Sequence, residues 1–112
     1  MYEYKAEYLS NYDGDTIKFI VDLGFSTFMK ITVRLSGVDT PELRDSDPVM
    51  KAKAYEAKDF VRELLINAKE IIIKTEKDKT GKYGRYLATV YYDGTNLNQQ
   101  LVDAGMAEAY EG

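Results

Sequence analysis

Residues 29–42 read M-K-I-T-V-R-L-S-G-V-D-T-P-E, an alternating strand that runs into a stiff, charged corner. Met29, Ile31, Val33 and Leu35 form one stripe and Lys30, Thr32, Arg34 and Ser36 the other, the period of two expected of a half-buried strand. That parity points Arg34 away from the core, available for a ligand. Past Gly37, Pro41 fixes its own backbone angle and biases Thr40 towards an extended conformation, so Asp39 and Glu42 are held rather than floppy. A cation, two acids and a rigid backbone at a strand end suit phosphodiester chemistry. An ordinary solvated turn has the same composition, so the corner needs the rest of the chain to decide its meaning.

Upstream, Tyr2, Tyr4, Ala6 and Tyr8 alternate with Glu3, Lys5 and Glu7, which predicts a first strand. Ile17, Phe19, Val21 and Leu23 continue the alternation as a second, with Gly24 in the turn to the third. Downstream, Asp47-Pro48 is a helix start, an N-cap acid followed by proline in the first turn. Met50, Ala54, Ala57, Val61, Leu64 and Ala68 then recur at spacings of three and four, predicting a helix of about five turns. Residues 70–76 contain the β-branched run Ile71-Ile72-Ile73 and read as a fourth strand. Residues 77–84 read as a polar loop, residues 85–92 as a fifth strand, and Leu97, Leu101 and Val102 as a short helix ended by Gly105. The expected fold is α+β, mainly β: a five-stranded barrel of the oligonucleotide/oligosaccharide-binding (OB-fold) type. A long helix lies between strands three and four, and a short C-terminal helix follows.

With 112 residues, 45% of them hydrophobic and 30% charged, residues 1–112 are expected to form a single soluble domain. The chain has neither cysteine nor histidine. Disulfides and thiolate metal sites are therefore excluded, along with the commonest general base. Catalysis would have to use carboxylates, arginine, lysine or tyrosine, and a metal would have to be a hard, oxygen-bound one. The net charge of −4 is unpromising for a nucleic-acid binder, but residues 1–50 hold 5 basic and 9 acidic side chains against 10 and 6 in residues 51–92. A local positive face is possible in the middle of the chain; a lysine-rich solvated surface reads the same way. No apolar run suggests a membrane span, and the N-terminus is unlike a signal peptide. The cytoplasm is the expected compartment unless a leader has been removed. A monomer is the expected state.

Two further motifs bear on chemistry. In Asp13-Gly14-Asp15-Thr16 the glycine would let two acids converge on a divalent cation, or the aspartates could simply bond their own turn. Lys82-Tyr83-Gly84-Arg85 offers lysine, guanidinium and a stacking ring to a phosphate, or a polar hairpin loop to solvent.

Together these blocks resemble the staphylococcal (thermo)nuclease family. The resemblance runs from about Tyr12 to Tyr110 and rests on D-G-D-T at 13–16, R-L-S-G-V-D-T-P-E at 34–42, K-Y-G-R-Y-L-A at 82–88 and Y-D-G-T-N-L-N-Q-Q-L-V at 92–102. It implies a Ca2+-dependent phosphodiesterase on that barrel, acting on single-stranded DNA or RNA with little sequence preference and leaving 3′-phosphate ends. It further implies that Asp15, Asp39 and the carbonyl of Thr40 hold Ca2+, with Asp13 behind them. Glu42 would be the general base, Arg34 and Arg85 the phosphate-gripping arginines, and Lys82 and Tyr83 the contacts to a neighbouring phosphate. Tyr110 would lie near the base.

The chain departs from the family pattern in its acidic balance, in the short segment 43–47 before the helix, and in stopping at residue 112, where longer members add a helix. The alternative is a catalytically inactive binding module on the same barrel, although such modules usually lose the metal and arginine positions kept here. A domain for an acidic or sugar ligand is a third possibility, with no residue specifically in its favour.

Overall fold

A computed structural model describes residues 2–80 and 85–110. The elements in chain order are β1 (Tyr2–Asn11), β2 (Thr16–Asp22), β3 (Phe28–Leu35), β4 (Val38–Asp39), α1 (Pro48–Ile66), β5 (Ile71–Thr80), β6 (Tyr86–Tyr92), β7 (Thr95–Asn96), α2 (Leu97–Asp103) and β8 (Glu108–Ala109). The long strands lie in the order β3-β2-β1-β5-β6, and β3 then pairs with β6 to close the ring. That closing pair is parallel and short, from Val33 opposite Tyr86 to Leu35 opposite Ala88, whereas the other ladders are antiparallel. The five-stranded barrel with its long helix and short C-terminal helix is the expected architecture. The helix follows the two-residue strand β4 rather than β3 directly.

Alternation is why the strands fall where they do. Ile17, Phe19 and Val21 of β2, Val33 and Leu35 of β3, Ile71 and Ile73 of β5, and Ala88 and Val90 of β6 all point into the barrel and are buried. Helix α1 closes one end, burying Ala54, Ala57, Val61 and Leu65. Its start is the expected one: the Asp47 carboxylate accepts from the Val49 N–H at 2.9 Å, with Pro48 in the first turn. Gly105 ends the C-terminal segment with φ 74°, a left-handed position that favours glycine.

Two expectations need correction. The polar stretch from residue 77 is not loop throughout, because β5 runs to Thr80, which pairs with Tyr86. Backbone pairing does not require apolar side chains, so the end of the isoleucine run did not mark the end of the strand; residues 81–84 lie outside the described residues. Secondly, the apolar stripe of β3 is buried only over its second half, and Met29 is exposed. The β2–β3 hairpin extends past the ring that would have covered it.

Candidate active site

The site is built where β3 leaves the barrel. Arg34 stands opposite Thr16 in the β2–β3 ladder, on the outward face as its parity requires. It is far from idle there. Its Nη1 donates to the carbonyls of Leu35 at 3.0 Å and Val38 at 2.8 Å, and lies 3.2 Å from Asp15 Oδ2. Its Nη2 donates to Asp39 Oδ1 at 3.4 Å. The expectation of a guanidinium simply available for a ligand is thus corrected: one nitrogen clamps the turn around Gly37, and both face a carboxylate. No protein partner reaches Nε among the described residues.

Asp15 is buried and its second oxygen is oriented from behind by the Thr40 N–H at 3.0 Å. The Thr16 hydroxyl approaches its first oxygen at 3.4 Å. Arg85 reaches the same hydroxyl, donating from Nη1 to Thr16 Oγ1 at 3.1 Å. A polar line therefore runs from Arg85 through Thr16 and Asp15 to Arg34 and Asp39. The carboxylate of Asp39 is more than half exposed. Glu42 is exposed, and its side chain makes no hydrogen bond or ion pair to the described residues.

Asp13 takes the turn reading: its Oδ1 accepts from the N–H groups of Asp15 at 3.0 Å and Thr16 at 2.8 Å. Burial, and then the neighbouring Asp15 carboxyl, push its pKa up to about 6 despite those two donors. Gly14 between them has no left-handed backbone angle. It is there for space: an added Cβ would lie 2.7 Å from Thr40 Cγ2 and 3.0 Å from Ala57 Cβ. This close approach seats the Asp13–Asp15 turn on both helix α1 and the Thr40 corner.

Other parts were not foreseen. Strand β8 pairs with β4, placing Glu108 opposite Asp39, and the Tyr110 N–H donates to the Gly37 carbonyl at 2.8 Å. Tyr110 thereby flanks the corner, its side chain about half exposed. A cleft of about 230 Å3 lies alongside, lined by Asp39, Thr40, Pro41, Met50, Lys53 and the 105–108 segment. Asn11 closes the other side of the Asp13 turn, accepting from Tyr8 OH and donating at 3.0 Å to the carbonyls of Asp13 and Lys58. Asn98 was the findable one, a polar residue between Leu97 and Leu101 on the buried face of a short helix. Lys82 and Tyr83 lie outside the described residues.

Among the described residues, no three acidic side chains converge as a ready-made metal group. The carboxylates of Asp15 and Asp39, both paired to Arg34, are oxygen donors of the type a hard cation takes. The buried Thr40 Oγ1 has no hydrogen-bond partner among the described residues and adds an oxygen at the same corner. Such a set would leave much of the coordination sphere to water.

The family profile described as "Staphylococcal nuclease homologue" matches residues 32–112. Similar curated proteins include Endonuclease YncB of Bacillus subtilis, 36% identical over 85% of this chain and 43% of that protein. Thermonuclease of Staphylococcus hyicus is 35% identical over 87% of this chain and 54% of that protein. Protein ParB of Escherichia coli is 32% identical over 96% and 58%. The chain spans about half the length of these relatives. With most of its length inside the family profile and its corner built from the residues that carried the resemblance, the chain belongs to the staphylococcal nuclease family.

Proposed function

We propose that this barrel is a Ca2+-dependent phosphodiesterase that hydrolyses single-stranded DNA and RNA with little sequence preference, leaving 3′-phosphate ends. One observation supports the reading above the others: Asp15, Arg34 and Asp39 meet at a single point, with Arg85 tied to the same place through Thr16. Relatives named as an endonuclease and a thermonuclease support the same class of reaction.

In this reading Asp15, Asp39 and the Thr40 carbonyl would hold Ca2+, which when bound polarises a phosphoryl oxygen. Arg34 and Arg85 hold positive charge where the attacked phosphate gathers negative charge, and they bind that charge more strongly than they bind the substrate. Glu42, exposed and uncommitted, takes a proton from the attacking water. The water oxygen bonds to phosphorus, the bond to the 5′ oxygen breaks with its electron pair on that oxygen, and solvent returns a proton to it. Tyr110 and, by the resemblance, Lys82 and Tyr83 hold the flanking nucleotide. The backbone bonds from Arg34 to Leu35 and Val38 keep the guanidinium from following Asp39 into solvent.

The test is incubation of the purified chain with a labelled single-stranded oligonucleotide in millimolar Ca2+. The expected result is cleavage to 3′-phosphate products, abolished by chelator, with Glu42→Gln lowering kcat by about 10^3-fold. No cleavage would overturn the reading, and nucleic-acid binding indifferent to Ca2+ without cleavage would make the barrel a binding module instead.

A further inference from the structure

Strand β1 breaks its own alternation just before the site. Tyr4, Ala6 and Tyr8 pack against the core, and a regular ladder would next turn Ser10 inward. The pairing with β2 shifts by one residue instead: Tyr8 lies opposite Phe19, Ser10 opposite Lys18 and Asn11 opposite Ile17. This bulge at Leu9 reverses the phase, leaving Leu9 and Ser10 exposed and Asn11 buried. Burial alone would have selected leucine over asparagine for the inside.

The amide so aimed is well bonded. Its Oδ1 accepts from the Tyr8 hydroxyl, and its Nδ2 donates at 3.0 Å both to the Asp13 carbonyl and to the carbonyl of Lys58 in α1. Asp13 in turn accepts from the N–H groups of Asp15 and Thr16. Asp15 carries the contact to Arg34, and Thr16 the contact to Arg85. The turn shapes itself, the Tyr12 N–H donating to the Thr16 carbonyl at 2.9 Å. Its seating on α1 comes at two neighbouring helix positions, Lys58 through Asn11 and Ala57 against Gly14. Loss of the amide would loosen that seat while every charged group of the corner stayed in the chain.

We propose that Asn11 is a positioning residue for the corner. Its amide, aimed by the bulge, ties the Asp13–Asp15 turn to α1 and so sets where the Asp15 carboxylate stands relative to Thr40 and Asp39. Asn11 touches neither metal nor substrate. It acts on the geometry of the oxygen donors, as groups that orient ligands from behind tune the affinity of a metal site. The inference rests on Asp15 being a Ca2+ ligand, as proposed above. Asn98 supplies the control, a buried amide whose bonds go to Ser36, Ala88 and Val90 instead of to the turn.

The test sets Asn11→Leu beside Asn98→Leu, two near-isosteric changes that each delete one buried amide. Ca2+ affinity is read without substrate, by displacement of Tb3+ and loss of its tyrosine-sensitised luminescence. Asn11→Leu should weaken Ca2+ binding about 10-fold and raise by a similar factor the Ca2+ needed for half-maximal cleavage. Asn98→Leu should leave both unchanged. In Ca2+-free protein, amide hydrogen exchange at Asp15 and Thr16 should speed up in Asn11→Leu but not in Asn98→Leu. Should Asn11→Leu not fold, Tyr8→Phe removes only the hydroxyl on the amide oxygen, and should shift Ca2+ affinity the same way by a smaller factor; no shift there would overturn the role. Unchanged Ca2+ affinity in folded Asn11→Leu, or an equal loss in Asn98→Leu, would also overturn it while leaving the phosphodiesterase reading in place. Weakened Ca2+ binding in Asn11→Leu, from a wild type that cleaves nothing, would support the role and remove that reading. A wild type that binds no Ca2+ would overturn both.

Discussion

Two polar clamps lie close together at the exit of β3 and hold it by opposite means. At one, Arg34 joins Asp15, Asp39 and two backbone carbonyls through charge. At the other, the single neutral amide of Asn98 accepts from the Val90 N–H at 3.1 Å and donates to the carbonyls of Ser36 at 2.9 Å and Ala88 at 3.1 Å. The amide is buried and every bond it makes is to backbone, so it joins β6 and α2 to Ser36 just past β3 without any desolvated charge. The ionic clamp carries a desolvation penalty for the buried Asp15 carboxylate that the neutral one avoids. A fold that needed only rigidity could have used amides at both places. Charge kept at the first, beside an exposed Glu42, is the feature on which the proposed ligand site rests.

Substitutions should separate the two clamps. Arg34→Gln should have the largest effect, lowering turnover by about 10^3-fold. It should also cost about 3 kcal/mol in urea unfolding, since Asp15 would remain buried without its cation. Asn98→Leu should match that loss of stability, about 3 kcal/mol, by removing the partner of the buried Val90 N–H and of the Ser36 carbonyl, yet keep kcat per folded molecule. If Asn98→Leu also abolished turnover in folded protein, the division between the clamps would fail.

Gly14→Ala should fall between the two in kind and below both in stability, losing about 1–3 kcal/mol. The new methyl would press on Thr40 and Ala57, so activity should decline with it even though no charged group has changed. The smallest effect belongs to Thr40→Val, which removes a buried hydroxyl that has no partner among the described residues and keeps the side-chain shape. Stability should stay within about 1 kcal/mol of wild type, or rise. A loss above about 2 kcal/mol would show that the hydroxyl is bonded after all, and a changed Ca2+ requirement would make it a ligand.

Much of this was legible before folding. Alternation gave β2 and the inner half of β3, because a side-chain period of two is a local property of any strand with one buried face. The helix start at Asp47-Pro48 was legible for the same kind of reason: capping is settled within four residues. The candidate residues Asp15, Arg34, Asp39 and Arg85 were picked out by motif, and the fold links all four through direct contacts or the Thr16 hydroxyl. The end of β5 was missed because a ladder of backbone bonds leaves no apolar signature in lysine-rich sequence. The reason for Gly14 was missed because its neighbours, Thr40 and Ala57, are distant in the chain.

What the amino-acid sequence determined by itself was the set of elements and the inventory of chemical groups, including the absence of histidine and cysteine that leaves oxygen and guanidinium chemistry. Only the tertiary structure decided how those groups are committed. The parallel pairing of β3 with β6 closes the ring and brings Arg85 to Thr16; β8 brings Tyr110 beside Gly37; and Arg34 is drawn between two carboxylates instead of pointing freely outward. Local propensity acts over a few residues, whereas the electrostatics of a buried carboxylate depend on whichever charge folding places a few ångströms away.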